Sequence, residues 1–304
     1  MTVTLPRSFS SRTYDYTWYK LDEKGRVEET KTRKVASFGA GAFSSIPTLT
    51  EIRVEGSGDF FAVGGVLYAR GEDGNVLLQY PAARDGEQFT VPAGTVAIGT
   101  GAFEGVDGLT SVEFPHTLKR IGAYAFYNST VERYVFNSVN APALLSEYVE
   151  PSSSLGDTIL EALFGNGTTS HGVTTVYYAN FYDFVAKRLY LVDKPDFNLH
   201  MTIPKNGVGY DTDIWTTFFQ DIHVTEEILP DDTTHEAMDR IDDAVGAMTP
   251  DEIAAAGSVA DLADISRAVQ AARLAYNRVT KAEQLGLLTA RYEALLTYET
   301  ALRD

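Results

Sequence analysis

Apolar positions in the first half of the chain recur with a period longer than any single helix or strand. Ile98-Gly99-Thr100-Gly101-Ala102-Phe103 returns 23 residues later as Ile121-Gly122-Ala123-Tyr124-Ala125-Phe126, and a looser copy, Ser37-Phe38-Gly39-Ala40-Gly41-Ala42-Phe43, lies upstream. Each phenylalanine is followed by an apolar set: Leu49, Ile52 and Val54; Leu109, Val112 and Phe114; and Val131, Tyr134 and Phe136, the last shifted one residue closer to its phenylalanine. Alternation within each set, with Ile52 and Val54 inward and Glu51 and Arg53 outward, predicts a short strand buried on one face. A unit of about 20 to 30 residues cannot cover its own apolar face, so such copies stack into a solenoid. Stacking predicts one dry interior shared by Phe43, Phe103 and Phe126.

The stretch between Phe43 and Phe103 spans more than one period. Two apolar runs, Phe61 to Tyr68 and Val76 to Pro81, flank Gly71-Glu72-Asp73-Gly74-Asn75, which predicts a β-hairpin. Phe89-Thr90-Val91-Pro92 reads as the strand leading back into the repeat. Residues 1–34, with Tyr14, Tyr16, Trp18 and Tyr19, read as a β-rich partial repeat. Residues 137–170, with Pro142, Pro151 and Ser152 to Ser154, read as a long decorated loop holding one helix at Asp157 to Phe164.

The segment Gly65-Val66-Leu67-Tyr68, Leu78-Gln79-Tyr80-Pro81, Val91-Pro92, Val96 and Ile98 through Phe103 resembles the BspA-like leucine-rich repeats of bacterial surface proteins. The likeness is strongest over residues 35–136 and extends to about 190. Where that family often carries cysteine three residues after the phenylalanine, this chain has Ile46, Val106 and Ser129, small or apolar residues that fill the same interior slot. The resemblance implies that Val173 to Tyr178 and the run Asn180 to Leu189 are a closing strand and a covering helix, a cap near 173–190 that shields the last stacking surface.

Near residue 225 the pattern changes. Beyond it the only aromatic residues are Tyr276, Tyr292 and Tyr298, and the only glycines Gly246, Gly257 and Gly286. Apolar residues step by three and four through Met238, Ile241, Val245 and Met248, then Leu262 to Val279, then Leu285, Leu288, Tyr292, Leu295 and Leu302. Capping boxes are expected at Thr233 with Glu236, Thr249 with Glu252 and Thr280 with Glu283. The fold class is therefore α+β: residues 1–224 form a β-rich leucine-rich-repeat solenoid with a hairpin insertion, and residues 225–304 a three-helix bundle. The latter resembles the FIVAR-like helical modules of Gram-positive surface proteins through Ala272 to Thr280, Gln284, Tyr292, Leu295 and Glu299.

Charge and chemistry narrow the function. The net charge is −17, and residues 225–304 hold 16 acidic against 7 basic side chains, which argues against a nucleic-acid partner. The absence of cysteine excludes disulfides, thiolate catalysis and zinc-thiolate sites. His116, His171, His200, His223 and His235 fall at no metal-ligand spacing, so neither metal nor cofactor is expected. Asp211 and Asp213 lack the remainder of a calcium loop, and Asp231, Asp232, Asp239, Asp242 and Asp243 read as the wet face of a helix rather than a hydrolytic carboxylate pair. No signal peptide, anchor or spanning segment is visible, so the parts that would direct export are expected outside this sequence.

These observations lead to a non-catalytic surface or secreted protein whose strands display Glu51, Arg53, Ser111, Glu113, Arg133 and Val135 to a protein or glycan partner, with adhesion as the role the resemblance implies. A purely architectural spacer is the alternative. A uniformly polar strand face favours the spacer, and exposed aromatics on that face favour binding. An enzyme with its site in 137–224, around Trp215, Phe218 and Phe219, requires a deep pocket with convergent carboxylates.

Overall fold

The repeated segments around Phe103 and Phe126 each contribute one strand to each of two sheets. In the computed structural model, which describes residues 1–6, 12–21, 27–37, 42–43, 46–56, 58–144, 147–149, 175–177, 199–219, 221–256 and 262–303, the chain divides into two compact units. One comprises Met1–Ile203 and Gly207–Thr225, the other Pro204–Asn206 and Glu226–Asp304.

The first unit begins with β1 (Thr2–Leu5), the antiparallel pair β2 (Arg12–Leu21) and β3 (Val27–Ser37), and β4 (Glu51–Val54). β1 lies parallel to β4, with Thr2 opposite Glu51 and Val3 opposite Ile52, so the amino terminus supplies a repeat strand and the β2/β3 hairpin is inserted behind it.

Next come β5 (Phe60–Val63), β6 (Val66–Gly71) and β7 (Gly74–Gln79), a three-stranded antiparallel meander. The expected hairpin is the β6/β7 half of it. The run from Phe61 to Tyr68, read as one strand, folds back on itself at Gly64 and Gly65. Their φ values of 56° and 84° give the two left-handed positions that a tight turn matching strand twist requires.

The stack proper uses β8 (Gln88–Thr90), β9 (Thr95–Ile98), β10 (Ser111–Phe114), β11 (Arg120–Ile121), β12 (Arg133–Phe136) and β13 (Ala143–Leu144), then β16 (His200–Ile203) and β17 (Asp221–Val224). One sheet has the order β17-β16-β12-β10-β8 and is parallel throughout; the other runs β13-β11-β9-β7-β6-β5, parallel from β13 to β7. Successive turns hydrogen-bond at intervals such as Thr110 to Glu87 and Thr90 to Glu113, both 23 residues.

The pair β14 (Glu147–Val149) and β15 (Thr175–Tyr177) is antiparallel and forms a sheet of its own. The strand expected to close the array near 173 is therefore β15 in a side sheet, while the parallel sheet passes from β12 to β16 and ends at β17. Helices expected at 157–164 and 180–189 lie outside the described residues.

The interior is an aromatic column. Phe103 stacks on Phe126 at 4.6 Å between centroids and on Tyr80 at 5.1 Å. Tyr134 meets Phe126 edge-on at 5.1 Å, and Phe114 stacks on Phe136 at 4.9 Å. Phe43 is not in this column. It is half-buried against a separate cluster of Leu5, Leu49, Ile52, Phe60 and Leu67, and the ring one turn before Phe103 is Tyr80. The inserted meander explains the exchange: β7 pairs directly with β9, so its last residues occupy the preceding turn.

Trp215, Phe218 and Phe219, on and beside the short helix α1 (Asp213–Phe218), are buried against Phe136, Tyr134 and Tyr210. This aromatic cluster is core.

The second unit holds α2 (Asp232–Ala247), α3 (Pro250–Ala254), α4 (Ala263–Arg278), α5 (Ala282–Leu287) and α6 (Thr289–Ala301). α2, α4 and α6 pack on one another through Ile241, Ala244, Ile265, Val269, Ala272, Leu295 and Tyr298.

Of the expected caps, Thr249 and Glu252 form the reciprocal box. The cap of α2 is instead Asp231, which takes both the backbone N–H and the hydroxyl of Thr234. A carboxylate two residues upstream satisfies the orphan amide as well as Thr233 would. α5 starts after Lys281 without a side-chain cap, so Thr280 is not used.

Candidate interaction face

Strand alternation places every second residue of the five-stranded sheet outward. In register, one row reads Gln88, Ser111, Arg133, His200, Asp221, and the next Thr90, Glu113, Val135, Thr202, His223. Between them, inward residues such as Val112, Phe114, Tyr134, Phe136 and Met201 are buried. Neighbouring strands are about 4.8 Å apart and successive outward residues on one strand about 6.7 Å, so the rows form a regular grid.

Four of the six residues expected on the display face, Ser111, Glu113, Arg133 and Val135, are adjacent on this grid. Glu51 and Arg53 are not part of it. They lie on β4, which is hydrogen-bonded to β1 in a separate sheet. Between β4 and β8 comes the tip of the β5/β6 hairpin: the Ile52 N–H donates to the Gly65 carbonyl, and Arg84 donates to the Gly64 carbonyl at 3.0 Å while lying over the Phe89 ring of β8. A tip held from both sides interrupts the strand ladder there. Glu51 and Arg53 pair with each other at 2.9 Å, and the hydrogen bond from Arg53 holds the Glu51 carboxyl below its ordinary range.

On the grid, the carboxylates are engaged by neighbours. Glu113 accepts from Asn137 Nδ2 at 2.9 Å and from Thr90 Oγ1 at 3.3 Å. Asp221 pairs with His200 Nδ1 at 2.7 Å. The sequence reading missed His200, Thr202, Asp221 and His223 because the whole of 137–199 intervenes before the ladder resumes. The alternation His200-Met201-Thr202-Ile203 and Asp221-Ile222-His223-Val224 is the signal that marks them.

Asp242, one of the carboxylates weighed for hydrolysis, is ion-paired with Arg291, and Asp231 is a helix cap. Among the described residues, no group of three or more histidine, aspartate or glutamate side chains is placed to hold a metal, and no helix is long and apolar enough to cross a membrane.

Residues 83–155 match the family model of the BspA type leucine rich repeat region (6 copies), a stretch running from just before β8 past β13. No curated protein matches the chain. A leucine rich cell surface protein from Faecalibacterium prausnitzii is similar at 21% identity over 62% of this chain and 45% of its own, with a TM-score of 0.35. A leucine-rich repeat protein from Eubacterium ventriosum is similar at 19% identity over 46% and 38%, TM-score 0.29. The pneumococcal vaccine antigen PcpA is similar at 14% identity over 74% and 56%, TM-score 0.31. The chain thus spans less than half the length of the first two structures.

Proposed function

We propose that this chain is a non-catalytic repeat protein of the bacterial cell surface whose solenoid presents the outward grid of its parallel sheet to a protein or glycan partner. The observation that carries this reading is the grid itself: ten outward residues in two continuous rows across five strands. A stacked sheet is a rigid display surface whose ligand groups need no ordering on contact, which removes part of the entropy cost of binding. The match of residues 83–155 to BspA type repeats supports the surface assignment, and the acidic helical unit fits a spacer of the FIVAR-like kind.

A purely architectural role is the second reading. It is favoured by the absence of any aromatic side chain among the ten outward residues, since interface anchors are enriched in tryptophan and tyrosine. The two are separated by immobilising the chain and presenting a panel of glycans and extracellular-matrix proteins. Capture that is lost in the Ser111→Arg/Val135→Arg double variant, and kept in Glu51→Ala/Arg53→Ala, supports the display face. A wild-type chain that captures nothing supports the spacer.

A further inference from the structure

Arg133 occupies the centre of the grid. β12 is the middle strand of five, and Arg133 is the only lysine or arginine in the two outward rows. It is exposed, and no ion pair joins it to Glu113, Glu132 or any other described residue.

The carboxylates that could neutralise it are turned to other partners, Glu113 to Asn137 and Thr90, and Asp221 to His200. By contrast, Arg53, Arg273, Arg278 and Arg291 all carry carboxylate partners. In a chain of net charge −17, a guanidinium left open at the middle of a flat face is available to an outside anion. The hydroxyl of Ser111 and the imidazole of His200 flank it one strand away on either side, and Val135 follows it along the same strand. A guanidinium offers a planar fork of donors that matches a carboxylate bidentately.

We propose that Arg133, flanked by Ser111 and His200, binds the carboxylate of a single acidic sugar residue at the end of an otherwise neutral glycan. This rests on the reading of the grid as a binding face and names the ligand class. The excess negative charge of the chain opposes a polyanion, but screening over about 8 Å at physiological salt leaves one local carboxylate free to pair with one cation. A sugar is favoured over a protein because the neighbouring groups, Ser111 and Thr202, are hydroxyls suited to hydroxyl-bearing ligands.

The test is a titration of the whole chain, by calorimetry and by saturation-transfer NMR, with the methyl glycoside of N-acetylneuraminic acid, with methyl glucuronide, and with methyl glucoside as the uncharged control. The expected result is binding of at least one acidic glycoside, weakened about tenfold by Arg133→Gln, the size of effect that loss of a charge-assisted hydrogen bond brings, and unchanged by Arg53→Gln. The glucoside is expected to bind at least about tenfold more weakly than the acidic sugar.

Equal affinity for the glucoside, indifference to Arg133→Gln, or no binding of either acidic glycoside overturns the proposal. The panel experiment with Ser111→Arg/Val135→Arg does not require a carboxylate. Capture there that survives a negative titration keeps the display face and removes only this ligand class.

Discussion

Gly122 stands directly over Gly99 one turn below: a Cβ built on Gly122 comes within 2.5 Å of the Thr100 nitrogen and 2.6 Å of the Gly99 carbonyl carbon. Gly99 in turn lies against the Leu77 carbonyl and the Leu78 backbone, and its N–H donates to the Leu77 oxygen at 2.8 Å. The Ile-Gly pair of the repeat is thus a contact rule. The turns approach so closely at this corner that only a residue without a side chain fits.

Gly122→Ala is therefore expected to destabilise the first unit by about 1–3 kcal/mol, the range of an overpacked site with no flexible neighbour to yield. Gly246→Ala, where a Cβ meets nothing within 4 Å, is expected to be neutral or slightly stabilising. Urea denaturation of the two variants checks the contrast.

Phe103→Ala and Phe126→Ala should each cost about 3–5 kcal/mol, because both rings are fully buried in the column. Their stacking at 4.6 Å predicts a coupling of about 0.5–1.5 kcal/mol in a double-mutant cycle. Phe43→Ala, half-buried in the other cluster, should cost less and show no coupling to Phe126.

The repeat period, the inward alternation of the strands and the β6/β7 hairpin were legible because each is a local pattern with a physical cause. Phe43 resembled Phe103 in its surroundings, yet the ring of the preceding turn is Tyr80. Sequence likeness cannot show that an inserted meander has taken over a position in the stack. The candidate face was legible for Ser111, Glu113, Arg133 and Val135, which share one repeat phase. It was not for Glu51 and Arg53, which a hairpin tip separates from the sheet, nor for His200 and Asp221, which rejoin it after a long insertion.

In the helical unit, Thr249→Ala should lower stability by about 1 kcal/mol, since it breaks a capping box whose Thr249 oxygen accepts the Glu252 N–H. Thr280→Ala should change little, because α5 is not capped by it. Thermal melts followed by circular dichroism distinguish the two.

Acid should weaken the helical unit. The hydrogen bonds from Arg273, at 2.6 and 2.5 Å, hold the Glu299 carboxyl below its ordinary range, with burial opposing and the charge of Arg273 assisting. A carboxyl whose folded pKa is depressed contributes stability above its unfolded pKa of about 4.3, and that contribution disappears as pH falls through the lower folded value. Denaturant midpoints of the helical unit measured from neutral pH to pH 3 should fall on the acid side. The Glu299→Gln variant should be less stable at neutral pH and show a shallower fall.

The reading of the face depends on one unbroken row from β8 to β17, across everything that lies between Arg133 and His200. The chain contains no cysteine, so Gln88→Cys and Asp221→Cys can carry a pair of nitroxide labels with no background. Four strand spacings place these positions about 19 Å apart. Pulsed electron double resonance should return a single narrow distance population within about 10 Å of that value, the allowance being for the label linkers. A broad distribution, or a population centred beyond about 40 Å, would contradict the continuous sheet and the binding face built on it.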